Sequence, residues 1–212
     1  ERVEFSHRLW LSTTNHWGIN ASEAIKNQSP PVSRLNFYEL EQAAIDWDKL
    51  DKGLTGYNAR TTKKTLFPHQ RVAVDNVHSG FKKADRGKLI MACGTGKTFT
   101  ALRIAEEETN GNGLILFLVP SIALLGQTLR EWSSDAEDSL NPICICSDPR
   151  IAKHTTKYED SLLTSVVDLA LPASTDVDQI SSQLKHALSK KGKSMTVVFS
   201  TYQSIEVIAK AL

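Results

Sequence analysis

A short run of glycine, threonine and lysine near the middle of the chain contains the residue types that bind phosphate. Residues 94–98, Gly-Thr-Gly-Lys-Thr, follow the apolar segment 88–90 and precede residues 99–107, which are apolar at helical spacing. Glycines let successive backbone N–H groups turn inward around phosphate oxygens, and the first turn of the next helix adds unpaired donors. The order strand, loop, helix predicts a P-loop.

The side chains of this loop suit a nucleoside triphosphate. Lys97 provides a mobile charge for the β- and γ-phosphates, and the Thr98 hydroxyl is a candidate magnesium ligand, so these two are the candidate catalytic residues. A chance Gly-Thr-Gly-Lys-Thr on a surface turn is the alternative, which the flanking strand and helix disfavour. The loop residues predicted to contact nucleotide are Cys93, Gly94, Thr95, Gly96, Lys97, Thr98 and Phe99.

Two polar residues upstream of the loop suit the base of the same nucleotide. The amide of Gln70 can donate and accept at once, which matches the N6/N7 edge of adenine. Arg71 could approach a phosphate or cap the base. A glutamine in the first turn of a helix is, taken alone, usually solvated, and His69 is better interpreted as an N-terminal helix residue than as a catalyst.

Two predicted strand ends carry hydroxyl and amide groups that suit a nucleic-acid backbone. Strand 114–119 is followed by Pro-Ser and a helix, and strand 195–200 runs into Ser-Thr-Tyr-Gln. Unpaired N–H groups and hydroxyls at the carboxyl edge of a sheet are a seat for phosphate. An ordinary helix cap is the alternative for the serine, and both can hold at once. The candidates are Pro120, Ser121, Gln127, Ser200, Thr201, Tyr202 and Gln203.

Strands and helices alternate regularly after Pro68. The apolar runs do not alternate with polar residues and are each followed by a helix, which indicates a parallel sheet covered on both faces. A polar, irregular stretch covers residues 147–176. The predicted helices are 68 to about 83, 97–109, 122–132, 177–188 and one from 202, and the predicted strands are 87–92, 114–119, 143–146 and 195–200.

The first 50 residues form a separate, smaller unit. They predict a strand at 8–13 and helices at 21–25 and 37–43, too little to bury a core of their own. Residues 51–65 contain two glycines and a basic run, which is typical of a linker.

Composition limits the class of protein. The 212 residues are 41% hydrophobic, enough for a packed core, and no apolar run has the roughly 18 residues of a membrane span, so no membrane partner is expected. A net charge of +1 does not by itself indicate nucleic-acid binding. The three cysteines form no framework and suggest reduced thiols in a cytoplasm. The chain opens on Glu1 without a signal peptide and reads as a piece of something longer.

The P-loop departs from the general pattern in a way that indicates a family. Met91 stands where the first glycine of G-x-x-x-x-G-K-[ST] is expected, and Ala-Cys-Gly-Thr-Gly-Lys-Thr resembles the loop of superfamily 2 helicases and translocases. In that setting Gln70 resembles the adenine-reading Q motif, and the two strand-end segments resemble motifs Ia and Ib, which contact the bound strand. The resemblance implies a RecA-like α/β P-loop NTPase domain with a mainly parallel sheet over residues 66–212.

The opening stretch resembles a different domain. Residues 8–14 and 45–47 are similar to the end of the Mrr-like nuclease domain of single-chain Type I (Type ISP) restriction-modification enzymes and related putative DEAD/DEAH-box helicases. The resemblance implies ATP and magnesium as cofactors and double-stranded DNA as a partner. It also implies a second RecA-like domain and a nuclease core elsewhere in the parent chain, with ATP hydrolysis coupled to movement on DNA.

A missing carboxylate pair limits this expectation. Hydrolysis in this family requires an Asp-Glu pair, normally Asp-Glu-Ala-His, and no Asp-Glu dipeptide occurs in the 212 residues. We therefore expect the motor domain to be cut before that motif, with weak nucleotide binding at most and no DNA-stimulated ATPase activity. A small-metabolite kinase and a nucleotide-gated binding module remain alternatives, and restriction and repair roles are not distinguished.

Overall fold

The N-terminal part contains two short parallel strands and three short helices. The computed structural model describes Phe5 and residues 7–25, 28–55, 59–146, 173–189 and 194–212. Strand β1 (Arg8–Leu11) pairs in parallel with β2 (Val32–Leu35), and the helices are α1 (Ile19–Ala24), α2 (Phe37–Glu41) and α3 (Trp47–Asp51). The strand and two helices predicted here are confirmed, with bounds that shift by a few residues.

The larger part is built on a three-stranded parallel sheet in the order β3-β5-β4. Its fold is mixed α/β, as predicted. Helices precede and follow the strands along the chain: α4 (Pro68–Phe81), α5 (Lys97–Thr109), β3 (Leu114–Val119), α6 (Ile122–Asp135), β4 (Ser139–Ile145), α7 (Val177–Ser189), β5 (Ser194–Thr201), a 3-10 turn (Tyr202–Ser204) and α8 (Ile205–Ala211).

Helices cover both faces of this sheet. Alternate side chains of β5 point to opposite faces and so pack against different helices. Val197 and Phe199 pack with α5 and α6 in one buried cluster, whereas Val198 packs with α7 and α8 in the other. Trp132 of α6 is 1% exposed and meets the Phe199 ring edge-on at 5.6 Å between centroids. The predicted two-sided parallel sheet is thereby confirmed.

The predicted strand 87–92 is wrong. These residues form no ladder with any described strand, and Ile90 is 89% exposed. Apolar content alone predicted the strand, but a strand also requires a neighbour to accept and donate its backbone hydrogen bonds. The P-loop therefore follows a segment without regular secondary structure and not a sheet strand.

Among the other boundaries of the larger part, the three largest differences from expectation concern β4, α6 and the last helix. β4 begins at Ser139, ahead of the predicted start, because Pro142 is tolerated on a strand that lies at the sheet edge. α6 continues past the predicted end at Trp132, and the helix predicted from Tyr202 begins as a 3-10 turn. Most of the predicted irregular stretch, 147–172, lies outside the described residues, whereas Ala173 bridges Cys144 at the β4 edge.

Cys93 is exposed, whereas Cys144 and Cys146 are buried. None of Cys93, Cys144 and Cys146 forms a disulfide, and burial raises the pKa of the Cys144 thiol to about 12. None of the described helices has the length and apolar character to cross a membrane.

Candidate nucleotide site and nucleic-acid interface

Two glycines give the P-loop its shape. Gly94 and Gly96 have φ values of 75° and 76°, in the left-handed region that glycine adopts without strain. Gly96 is the N-cap of α5, so the loop leads directly into the helix whose first N–H groups are unpaired. A Cβ atom at Gly96 would collide with the Gln70 side chain. Cys93 and Gly94 are exposed at the tip of the loop.

The lysine and threonine of the loop converge on one carbonyl. The Lys97 ammonium donates to the carbonyl oxygen of Ala92 at 2.9 Å, and the Thr95 hydroxyl donates to the same oxygen at 2.7 Å. Lys97 is exposed, so its charge is held on the loop while remaining accessible to an anion. A single neutral carbonyl is a weaker partner for an ammonium group than a phosphate oxygen.

The next two residues differ in what they can offer a ligand. Thr98 is partly buried, and its carbonyl oxygen accepts a hydrogen bond from the Trp132 indole at 3.0 Å. Phe99 is 8% exposed, with the Arg103 guanidinium 4.7 Å from its ring centroid. The Phe99 side chain therefore belongs to the core, so only the backbone of this residue remains as a candidate contact for nucleotide.

Gln70 braces the P-loop. It is 3% exposed, its amide nitrogen donates to the Thr95 carbonyl at 3.0 Å, and its amide oxygen accepts from the Phe67 backbone N–H at 2.9 Å. Each end of the amide thus has a protein partner, and one of those partners is the loop itself. The sequence placed Gln70 near the nucleotide but gave no sign of this contact, which depends on how α4 packs on α5.

The Arg71 side chain is paired with a residue of α5. Its guanidinium lies 2.6 Å from a Glu107 carboxylate oxygen and 3.8 Å from Asp75. The hydrogen bond to Glu107 raises the pKa of Arg71 above its usual value. The Arg71 side chain is 51% exposed, so this pair is a surface interaction that leaves the guanidinium in contact with solvent.

His69 and Phe67 also lie beside the loop, although the sequence predicts neither as a nucleotide contact. The His69 ring nitrogen Nε2 is 3.3 Å from the Thr95 carbonyl oxygen. Phe67, 65% exposed, stacks on the His69 ring at 5.9 Å between centroids and 9° between planes. The aromatic residues on either side of Pro68 were the only sequence signal of this arrangement.

The two predicted nucleic-acid segments emerge side by side. β3 and β5 are paired and parallel, with Val119 opposite Thr201, so the residues after each strand meet at the same carboxyl edge of the sheet. Ser121 is the N-cap of α6, and its hydroxyl accepts from the Leu124 N–H at 3.3 Å. Pro120, next to it, is exposed.

The candidates around this edge are not equally accessible. Ser200 and Thr201 are 0% and 4% exposed, and the Ser200 hydroxyl donates to the Ile145 carbonyl at 2.6 Å. Tyr202 is 55% exposed, and Gln203 is also exposed. Gln127, on the outer face of α6, donates to Glu131 at 2.8 Å. A ligand at this edge would meet Tyr202 and Gln203, whereas the two buried hydroxyls support the strand end.

The donor set for a metal ion is small. Among the described residues, no three His, Cys, Asp or Glu side chains gather as a potential metal site. Magnesium in nucleotide sites commonly takes one or two protein ligands and completes its shell with phosphate oxygens and water. Thr98, which follows the predicted phosphate-binding residue Lys97, is the hydroxyl that the sequence predicts as such a ligand.

Two family profiles cover nearly the whole chain. Residues 63–211 match the family described as "Type III restriction enzyme, res subunit", and residues 1–56 match a family described as "Restriction endonuclease". No curated protein sequence matches the chain.

Two solved structures share both fold and sequence with the chain. One is the ATP-dependent Type ISP restriction-modification enzyme LlaBIII bound to DNA, which is 35% identical over 96% of this chain with a TM-score of 0.82. The other is a nuclease-deletion mutant of the Type ISP enzyme LlaGI in complex with a DNA substrate mimic, 41% identical over 70% of this chain with a TM-score of 0.56. The chain spans 13% and 14% of the lengths of those proteins.

Proposed function

Because this chain belongs to the family of the Type III restriction enzyme res subunit, we propose that it is the ATP-binding part of a superfamily 2 DNA translocase in a restriction-modification enzyme. In the whole protein this part couples ATP hydrolysis to movement on double-stranded DNA. The likeness to Type ISP enzymes at 35% and 41% identity supports this assignment over a kinase or a nucleotide-gated binding module.

The observation that best supports the proposal is the conformation of the P-loop and its hydrogen bonds. Gly94 and Gly96 have left-handed backbone conformations, and Gln70 donates a hydrogen bond to the Thr95 carbonyl of the loop. The Lys97 ammonium donates to the Ala92 carbonyl. On binding, the Lys97 ammonium exchanges this carbonyl for the β- and γ-phosphates, while the loop N–H groups bind phosphate oxygens. Magnesium, held by Thr98 and the phosphates, would neutralise charge on the triphosphate.

The base and the DNA each have candidate contact residues. Gln70 and His69 contact the P-loop at the Thr95 carbonyl, and Phe67 stacks on His69, so these residues are candidates for the base. Arg71, paired with Glu107 on α5, is a further candidate because its guanidinium stays exposed. The candidate DNA contact consists of Tyr202 and Gln203 together with Pro120 and Ser121 at the N-terminal end of α6. One comparison structure is bound to DNA and the other to a DNA substrate mimic, which supports DNA as the partner.

The chain divides into a nuclease-like part and a motor part. We assign residues 1–50 to the C-terminal part of an Mrr-like nuclease domain, 51–65 to the connection and 66–212 to the first RecA-like motor domain. Family matches that end at residue 56 and resume at residue 63 support this division. A second RecA-like domain and the nuclease core would complete the parent enzyme, which we assign to the cytoplasm.

Nucleotide binding by the 212-residue chain tests the proposal. We expect a fluorescent ATP analogue with magnesium to bind weakly, and Lys97→Ala to lower the affinity by at least about tenfold, since it removes a charge-assisted contact to phosphate. Lys210→Ala, on the remote helix α8, is the matched control and should bind like the unmodified chain. Equal affinity in the Lys97→Ala and Lys210→Ala variants would contradict the assignment of the loop.

Catalysis gives a second test of the same assignment. No Asp-Glu pair occurs in these 212 residues, so we expect no DNA-stimulated multiple turnover of ATP by this chain alone. A phosphate-release assay with and without duplex DNA measures it. Phosphate transfer to a small metabolite would instead favour the kinase alternative.

A further inference from the structure

Residues 59–65 of the connection are bonded to both parts of the chain. Ile45 and Arg60 form an antiparallel bridge, with the Asp46 N–H donating to Ala59 at 2.8 Å and the Thr61 N–H donating to Ala44 at 3.2 Å. Ala59 is 4% exposed. Residues 59–61 are therefore attached to the N-terminal part.

A few residues later, two lysines hold the connection on the motor part. The Lys63 ammonium donates to the Ala136 carbonyl and lies 3.4 Å from the Glu137 carbonyl. The Lys64 ammonium lies 2.8 Å from a carboxylate oxygen of Asp135. All three acceptors are at the C-terminal end of α6, where carbonyl groups lack partners within the helix and carry the negative end of its dipole.

Charge explains why a lysine is needed at this position. The Asp135 side chain is only 6% exposed, and a carboxylate that leaves water requires a partner. Its position in the last turn of α6 adds repulsion from the helix dipole. The Lys64 side chain, 62% exposed, supplies the opposite charge without being buried itself.

The same helix end is bonded to α5, which begins at the P-loop. Arg103, 5% exposed, donates to the Asp135 carbonyl at 3.0 Å and pairs with Glu106. Glu106 in turn accepts the Glu137 backbone N–H at 2.6 Å. The connection therefore contacts the end of α6 that is hydrogen-bonded to α5, the helix that follows the P-loop.

We propose that residues 59–65 are a docked strap that fastens the N-terminal part to the motor part, with Lys63 and Lys64 as its charge-specific attachment to the end of α6. The N-terminal part is then carried by the motor through a fixed junction and not by a free tether. The docking does not require nucleotide binding, so this proposal and the proposed function can each fail alone.

Limited trypsin digestion of the 212-residue chain tests the strap. Trypsin must accept the Lys63 side chain into its specificity pocket, so cleavage after Lys63 requires the strap to leave α6. The bond after Lys88, in an exposed segment without regular secondary structure, provides an internal reference rate. We expect cleavage after Lys63 to be slow relative to cleavage after Lys88. Lys64→Gln and Asp135→Asn should each accelerate cleavage after Lys63 about tenfold, because proteolysis follows the population of the open state.

Further variants separate the ion pair from a general loss of structure. The Lys64→Gln, Asp135→Asn double variant should be cleaved no faster than the faster single variant, because both changes remove the same contact. Lys64→Arg should restore protection, and Glu131→Gln, elsewhere on α6, should behave like the unmodified chain. Lys64→Gln changes an exposed side chain and so keeps the test valid if Asp135→Asn does not fold. Equal wild-type rates after Lys63 and Lys88, unchanged cleavage in Lys64→Gln, or additive effects in the double variant would overturn the proposal.

Discussion

The two parts of the chain both contain parallel strands and helices, but they bury their apolar residues to different extents. In the motor part, Leu102, Trp132 and Phe199 are at most 1% exposed. In the N-terminal part, Trp10 and Leu11 on β1 are 48% and 58% exposed, and α2 and α3 contain no buried residue. A backbone ladder alone does not bury a hydrophobic face. We therefore expect equivalent substitutions to be costly in the motor part and mild in the N-terminal part.

Tryptophan replacement gives the largest contrast. Trp132→Ala removes a ring that packs against Phe117 and Phe199 and loses the hydrogen bond to Thr98, so we expect a loss of about 3–5 kcal/mol in the free energy of unfolding. Trp10→Ala, at a half-exposed ring, should cost below about 1 kcal/mol. Chemical denaturation followed by circular dichroism measures both. Similar losses in the two variants would remove the distinction between the parts.

Two glycines with nearly the same backbone conformation separate backbone strain from steric contact. Gly96 and Gly53 have φ values of 76° and 82°, but a Cβ at Gly96 would strike Gln70, whereas a Cβ at Gly53 would meet no atom within 4 Å. Gly53→Ala should therefore cost about 1 kcal/mol from strain alone. Gly96→Ala should cost about 2–3 kcal/mol, because strain and displacement of the Gln70 brace add.

Nucleotide affinity distinguishes the two glycine variants more sharply than stability does. Gly96→Ala should weaken binding of an ATP analogue, since the displaced loop no longer directs its N–H groups at phosphate, and Gly53→Ala should leave binding unchanged. Titration of both variants in parallel measures this. Full binding by Gly96→Ala would show that the contact between loop and Gln70 is dispensable.

A smaller effect is expected when the brace itself is removed. Gln70→Ala breaks two hydrogen bonds of a buried amide and leaves the Thr95 carbonyl and the Phe67 N–H without that partner, which should cost about 1–2 kcal/mol. Gln28→Ala removes a comparable bond to the Ala24 carbonyl, but on an exposed side chain, and should be near neutral. Thermal unfolding of both variants tests whether burial sets the cost. A loss in Gln28→Ala equal to that in Gln70→Ala would contradict this.

Gln70 shows which structural features the sequence predicts and which it does not. The helix Lys97–Thr109 and the strand Leu114–Val119 have the predicted bounds, because left-handed residues at Gly96 and Asn110 delimit the helix and a continuous apolar run defines the strand. These signals are local. The bond from Gln70 to Thr95 depends on the packing of α4 against α5, which no local pattern contains. Its role toward adenine stays a prediction.

The strand at 87–92 was wrongly predicted for the same reason, because a local pattern does not contain the contacts on which a strand depends. Its apolar residues matched the local pattern, but strand formation depends on a neighbouring strand, and β3, β4 and β5 pair among themselves. The buried Ser200 and Thr201 are a further case. The sequence places them at a strand end, but their burial depends on how the rest of the chain packs over the end of β5, which no local pattern contains.

The smallest expected effect concerns ion pairs on the two surfaces. Arg71 and Glu107 join α4 to α5 at 2.6 Å with side chains 51% and 38% exposed, and Lys49 and Asp46 lie 3.4 Å apart within the N-terminal part with 43% and 34% exposed. Because both pairs are solvated, Arg71→Gln and Lys49→Gln should each cost about 0–1 kcal/mol, and less at high salt. Urea unfolding at low and high ionic strength measures this. If Arg71→Gln cost several kcal/mol independently of salt, the α4–α5 contact would behave as a buried pair, and the contrast between the two parts would extend to the motor surface.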